Sequence, residues 1–265
     1  MAEHWNDASW GTTALWVSGF FALLMAGSIA IGVVMEKAHQ AKGHTIFAVK
    51  LKRHQARRER IGNLIFFAVW VPIAIVVLRL GWVRFTSGLF AEWLTFGVCW
   101  VSFMVYFWLI HRAMHSRALF WTHRWHHESL VTTPWTGFSL GPAESLGWAI
   151  GFVWPAIVLT YFDVLGLWGY LGFLAMLFYG NITGHANAEL MPGFLARMNW
   201  LGNPVVFHSL HHARFEGHYG FASGWMDTLC GTEMSDWKAV HAQVMRGEPL
   251  RSLRQKGAES AEVGA

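Results

Sequence analysis

Nine of the fifteen histidines sit in spacings that suit a metal ion. His111 and His115 form H-x-x-x-H, His123, His126 and His127 form H-x-x-H-H, and His208, His211 and His212 repeat the second pattern further along, with His185 between the copies. On an α-helix, residues three and four apart share a face, so each cluster can aim two or three imidazoles at one point. Imidazole binds iron, zinc, copper and nickel well, whereas a hard Mg²⁺ or Ca²⁺ site calls for carboxylates, which are sparse in this chain. A structural zinc is full with four ligands. Nine histidines are about twice that need and point to two ions. The competing reading is an interfacial face of histidines bound to headgroups or to one another; two copies of H-x-x-H-H speak against it.

Positioning these residues falls to apolar helices. Of the 265 residues, 54% are hydrophobic and 14% charged, against about 45–50% and about 25% in ordinary soluble domains. Five stretches, about 13–35, 61–79, 88–110, 145–162 and 164–183, approach the roughly 20 apolar residues needed to cross a hydrocarbon core. Only Asp163 separates the last two, which predicts a tight helical hairpin in which either arm can be re-entrant. Glu92 is expected near an interface or facing the bundle. The prediction is an all-α membrane protein of four to five transmembrane helices, one domain over 1–265, with the histidine core at about 88–232. A polar tail over about 246–265 is predicted to be disordered.

Of the 20 Lys and Arg residues, 18 fall in loops on one side of these spans and only Arg79 and Arg84 on the other. Basic loops favour the cytoplasm, so the N-terminus is expected outside and the nine histidines together in a cytoplasmic-side cap. Glu3 and Asp7 precede the first span without any basic residue, unlike a cleaved signal peptide, so that segment is expected to be retained. Tryptophans near the predicted span ends, including Trp10, Trp82, Trp135 and Trp168, fit interfacial belts. The formal net charge of +4 lies in membrane-flanking loops without a recognition motif, which favours anionic headgroups over nucleic acid as partners. Cys99 and Cys230 cannot hold an iron–sulfur cluster alone, and there is no G-x-G-x-x-G loop. Electrons for redox chemistry would therefore come from another protein.

The chain resembles the fatty acid hydroxylase and sterol desaturase superfamily of membrane di-iron oxygenases. The likeness runs from about His111 to Thr232 through HRAMH, LFWTHRWHH, NITGHAN, FHSLHHARFEGHYGF and the closing MDTLCGT, which is similar to a W-D-x-x-F-G-T ending. The resemblance implies that His111, His115, His123, His126, His127, His185, His208, His211 and His212 hold two irons, with no catalytic side chain beyond the ligands. Asn181 stands where relatives carry a tenth ligand, and His218 replaces the usual asparagine before Tyr-Gly, making it a candidate ligand or hydrogen-bond donor to one. Ser139, Leu140, Gly141 and Pro142 replace an R-x-H-P segment, and Met226 replaces the tryptophan before Asp227.

Among acidic residues, Asp227 is expected to accept the second N–H of a ligating imidazole, while Glu128, Glu144, Glu189 and Glu216 divide evenly between that role and a solvated one. His4, His39, His44, His54 and His241 lack ligand spacing and are expected to be solvated. Trp121, Trp125, Phe138, Phe178, Tyr179 and Phe207 flank the clusters, with packing the more common role and a substrate tunnel the alternative.

The function implied is O₂-dependent hydroxylation of an unactivated C–H bond in a lipid taken from the bilayer, with an external ferredoxin or cytochrome and its reductase as donor. A bacterial cytoplasmic membrane is the expected location. Desaturation on the same scaffold is the alternative. The same imidazoles bind zinc, so zinc can replace iron in a purified sample, and a zinc-dependent membrane hydrolase is a further reading. A metal transporter would place its ligands within the spans, and a haem carrier would pair single histidines on facing helices.

Overall fold

The structure, a computed structural model, describes residues 8–257. Its helices are α1 (Trp10–Ala41), α2 (Gln55–Arg79), α3 (Leu89–Met114), α4 (Phe120–His127), α5 (Pro142–Tyr161), α6 (Leu167–Gly184), α7 (Gly193–Ala196), α8 (Val205–Arg214), α9 (Trp225–Cys230) and α10 (Trp237–Met245). Strand pairing among the described residues is confined to isolated bridges. Helices α1, α2, α3 and α5 are long and apolar enough to cross a membrane. Helix α6, 18 residues long and interrupted by Gly172, Gly180 and Asn181, falls outside that group.

The helix that leads to the first histidine pair shows how pattern becomes packing. In α3, Ala91, Thr95, Cys99, Phe103, Phe107 and His111 recur every fourth residue and all are buried, so one stripe runs from the far end of the bundle to the site. Around it the long helices close into a ring, α1 beside α2, α2 beside α5, α5 beside α3, α3 beside α6 and α6 beside α1. The arms of the predicted hairpin, α5 and α6, are thus consecutive but not principal neighbours. Both lean on α3, and they meet across the core where the Tyr170 hydroxyl donates to the Phe152 carbonyl at 3.0 Å. Aromatic rings fill the centre, with Phe66 stacked on Phe138 at 4.5 Å and Phe107 on Trp148 at 4.4 Å. Such pairs add about 0.5–1.5 kcal/mol beyond the area they bury.

Glu92 lies in the first turn of α3, where its carboxylate accepts the Gly169 N–H of α6 at 2.7 Å. It satisfies an amide that the start of a helix leaves unpaired. A side chain at Gly169 would collide with the Glu92 backbone, so this close crossing requires glycine. Trp10, Trp82 and Trp168 are exposed at this same end of the bundle.

The opposite end carries a cap with its own apolar core, in which Ile46, Phe47, Val206, Phe207, Leu210, Val240, Val244 and Leu250 are buried. Leu250 pairs its backbone with Ile46 and Ala48 at 2.8 Å each. This corrects the expectation of disorder from about residue 246: Leu250 and Leu253 pack on the cap core, and Arg214 and Asp236 hold the Gln255 carbonyl and the Gly257 N–H, which seats 246–257 on the cap. Residues 258–265, and with them the rest of that expectation, lie outside the described residues, as do His4, Glu3 and Asp7.

Candidate metal centre

All nine histidines meet at the cap end of the bundle, in two groups. His111, His115, His123, His127 and His211 form one, and His126, His185, His208 and His212 the other, the nitrogens of each group lying within 4.8 Å of one another. The helical repeat explains the division. In α4, His123 and His127 are one turn apart and serve the first group while His126 turns to the second; in α8, His208 and His212 serve the second and His211 the first. His111 and His115, again four apart, close α3.

The local structure around these helices is built to hold them. Gly141 and Pro142 open α5, proline being suited to the first helical turn, and this start packs against Trp125 of α4. The start of α8 is held by the buried Glu189 carboxylate, which accepts the N–H groups of Val205 and Val206 at 3.2 and 2.9 Å and that of Met191 at 2.8 Å. Helix α8 ends at Phe215, whose left-handed backbone returns an N–H to the His211 carbonyl at 2.8 Å.

Most of the rings are oriented from behind. Nδ1–H donates from His111 to the Tyr219 carbonyl at 2.8 Å, from His185 to Asn181 at 2.5 Å, from His211 to Gly217 at 2.7 Å and from His212 to Ser129 at 3.0 Å. His123 donates to the Glu144 carboxylate at 2.6 Å. These bonds fix the tautomer and leave Nε2 without a hydrogen, turned inward. Burial holds His115 and His185 neutral, with pKa values pushed down to about 4.

The inward nitrogens fit a metal and little else. Nε2 of His111, His115 and His123 is buried without a partner. His185 Nε2, which carries no hydrogen, lies 3.2 Å from His126 Nε2 and 2.9 Å from His208 Nε2, and His208 Nε2 also lies 3.2 Å from that of His212. His185 and His212 each turn a bare Nε2 to His208, which carries one hydrogen at most and can serve only one of them. Two nitrogens about 2.1 Å from a shared ion and at right angles to each other are about 3.0 Å apart, which is the separation observed. The donor set therefore suits two imidazole-binding ions.

Several expectations are corrected here. His218 is no ligand: Nδ1–H donates to the Phe207 carbonyl at 2.8 Å, Nε2 accepts the Met234 N–H at 2.9 Å, and the ring stacks on Phe207. Burial lowers its pKa to about 3, and both nitrogens are spent on holding the loop. Asp227 does not touch an imidazole. It accepts from Trp108 Nε1, the Tyr219 and Gly220 amides and the Thr232 hydroxyl, at 2.6–3.1 Å, and so fixes the loop whose Tyr219 carbonyl orients His111. Glu144 is the acidic residue that reaches a ligand candidate. Glu128 pairs with Arg58, Glu189 caps α8, and Glu216 is exposed. Asn181 lies beside His185 and His208, and its amide donates to the Gly137 carbonyl at 2.7 Å.

Of the remaining histidines, His54 is exposed as expected. His241 is buried, with Nε2 3.0 Å from the Met191 carbonyl, and His39 donates to the Glu189 carbonyl at 2.9 Å. Glu59 gave no signal in the sequence beyond being an acid in a basic run. It is buried and accepts from Gln55, Ser129, Thr133 and Thr136 at 2.8–2.9 Å, pinning the segment whose Ser129 carbonyl orients His212.

An apolar cavity of about 30 Å³ opens onto both groups, reaching His111 and His123 of one and His126, His185 and His208 of the other. Phe103, Phe107, Phe138, Trp148, Phe152 and Phe221 are among its walls. Of the aromatic residues that flank the clusters in sequence, only Phe138 is among them; Phe178 and Phe207 are packed in the cores and Trp121 is exposed. A second opening, of about 20 Å³, is lined by Gly180, Asn181, Gly184, His185, His208 and Phe221, so Phe221 borders both.

Fold and site together define a helical membrane protein with a buried, histidine-built centre suited to two metal ions. The chain belongs to the fatty acid hydroxylase family, whose model matches residues 96–232, just over half of it. It is 32% identical over 148 residues to very-long-chain aldehyde decarbonylase GL1-4 of Oryza sativa subsp. indica, covering 54% of this chain and 24% of that protein. Protein CER1-like 2 of Arabidopsis thaliana is 30% identical over 223 residues (78% of this chain, 35% of the relative). Very-long-chain aldehyde decarbonylase CER1, from the same plant, is 29% identical over 194 residues (71% and 30%). The chain thus spans between about a quarter and a third of the length of these relatives. No solved structure matches it significantly.

Proposed function

We propose that this protein is a membrane oxygenase that uses two histidine-held irons and O₂ to hydroxylate an unactivated C–H bond of a long-chain lipid. The observation that carries the reading is the aromatic cavity that ends on nitrogens of both histidine groups. When bound, two irons supply the electrons and open coordination positions that O₂ activation needs. His111, His115, His123, His127 and His211 would hold one, and His126, His185, His208 and His212 the other. The electrons come from an external ferredoxin or cytochrome with its reductase, and the cap faces the cytoplasm, where the basic loops favour it.

The chain's own residues bind, orient and exclude water. Glu144 and the carbonyls of Tyr219, Gly217, Asn181 and Ser129 hold the imidazoles in one tautomer. The aromatic walls offer a hydrocarbon no polar partner, so a substrate is placed by shape. A cavity of about 30 Å³ holds roughly one water, so a lipid chain enters only as rings move aside. Phe221, packed on Phe103 at 5.7 Å and Phe107 at 4.9 Å between the two openings, is the ring best placed to do so.

A second reading follows from relatives named as aldehyde decarbonylases: the same site would act on a long-chain aldehyde and release its carbonyl carbon. One experiment separates the outcomes. Metal content is measured together with mass spectrometry of lipids from cells expressing wild type or His126→Ala, with and without O₂. Iron near two per chain, with an O₂-dependent gain of one oxygen that the variant loses, is expected. Loss of two hydrogens instead would mean a desaturase, and loss of the carbonyl carbon a decarbonylase. One zinc per chain with turnover that ignores O₂ would overturn the oxygenase.

A further inference from the structure

Away from the histidines, the cap carries a cavity of about 500 Å³ between α7 and α10, and every charged residue lining it is cationic: Arg197, Lys238 and Arg246. The helical repeat arranges this. Lys238, Ala242 and Arg246 stand four apart on one face of α10, whose opposite face buries Val240 and Val244 in the cap, with Trp237 at the border between them. Gly193, Ala196 and Ala242 make a floor of small side chains, so space remains between the cations. Lys238 lies over the Trp237 ring at 5.5 Å. Arg246 has a partner in Glu248 at 3.3 Å, but both are more than half exposed, and such pairs are weak enough to open to a competing anion.

A second observation says where that anion comes from. Directly beside the cavity, Phe194, Leu195, Met198, Trp200 and Leu201 are all exposed, from 38% for Met198 to 70% for Phe194. Five large apolar side chains within eight residues, facing outward around Arg197, do not suit a water-facing loop. The segment is tied to the bundle end, since Asn199 accepts the Gly224 N–H at 2.7 Å and Asn203 donates its N–H to the Ala222 carbonyl at 2.8 Å. Phe221 and Ala222 in turn pack on the core of the long helices. This level, where apolar spans end and the cap begins, is that of the headgroups. An apolar face with tryptophan and adjacent cations is the pattern of a segment lying in the interface.

The geometry points to a binding site for an anionic phospholipid: its phosphate lies in the cavity between Arg197, Lys238 and Arg246, and the apolar 194–201 face dips into the acyl boundary beside it. The site depends on the membrane placement of the bundle and is independent of the oxidation chemistry. It gives the cap a fixed depth and orientation against the bilayer.

The test is retention of phosphatidylglycerol or phosphatidylcholine by the full chain in neutral detergent, read by native mass spectrometry. For Arg197→Ala/Lys238→Ala, binding of phosphatidylglycerol is expected to weaken about thirtyfold, with phosphatidylcholine unaffected. Arg197→Lys/Lys238→Arg is expected to retain binding, which separates the site from a folding defect. Unchanged phosphatidylglycerol binding in the alanine variant, or equal loss of both lipids, would overturn the site. Displacement of the lipid by inorganic phosphate alone would overturn the lipid assignment and leave a soluble-anion site.

Discussion

Glu144 occupies a position where a carboxylate is costly unless it is used. It is buried, and one oxygen accepts both the His123 and the Trp148 N–H groups. Carboxylates behind metal-binding histidines typically change affinity about 10–100-fold when removed. Glu144→Ala is therefore expected to lower iron affinity by about that factor while leaving the helical content intact, measured by metal titration and circular dichroism. An unchanged affinity would make the contact merely structural. The histidines themselves set the acid limit. An unfolded histidine titrates near 6.5, whereas burial lowers His115 and His185 to about 4 and His218 to about 3. Above about pH 6.5 both states hold these rings neutral and stability is full. As the pH falls from 6.5 towards 4 the unfolded chain gains protons that the folded one refuses, so stability drops. Denaturation midpoints of the chelator-stripped protein across this range should decline steadily, and a flat profile would contradict the buried, neutral assignment.

At the scale of elements, the short helix α8 delivers three of the nine histidines, and ten residues are too few to be stable alone. Its start depends on Glu189, which sits in the linker after α6 and accepts two of its unpaired amides. Loss of such a cap costs about 0.5–2 kcal/mol, and burial of the abandoned N–H groups adds to it. Glu189→Ala should lower the unfolding midpoint and deplete iron in parallel. A drop in midpoint with full iron content would mean that α8 is held by the cap core alone. Glu189 was one of several acids near the clusters that the sequence could not rank. The ranking came from which carboxylate faces a ring and which faces a helix start, and that depends on contacts between segments remote in the chain.

Across the whole molecule, five long helices bring distant loops to one end, and Phe221 is the aromatic residue that lines both cavities at the site. Phe221→Trp should slow turnover of a lipid substrate without loss of iron, and Phe221→Ala should admit bulkier chains, compared by product yields in reconstituted vesicles. Equal product profiles in all three proteins would remove Phe221 from the access path. What the sequence determined by itself was the metal-suited spacing of the histidines and the helical form of the apolar runs: helical spacing forces His123 and His127, or His208 and His212, to share a face, and an apolar run can satisfy its backbone in a membrane only as helix. These are local consequences of covalent geometry and solvent. Only the tertiary structure decided the division of nine histidines into five and four, the choice of Glu144 over Asp227 behind a ring, the closure of both nitrogens of His218 and the burial of Leu250. The carbonyls of Tyr219, Gly217 and Ser129 that orient the imidazoles are backbone groups present at every residue. Their selection rests on how segments up to about a hundred residues apart pack together, which no spacing along the chain encodes.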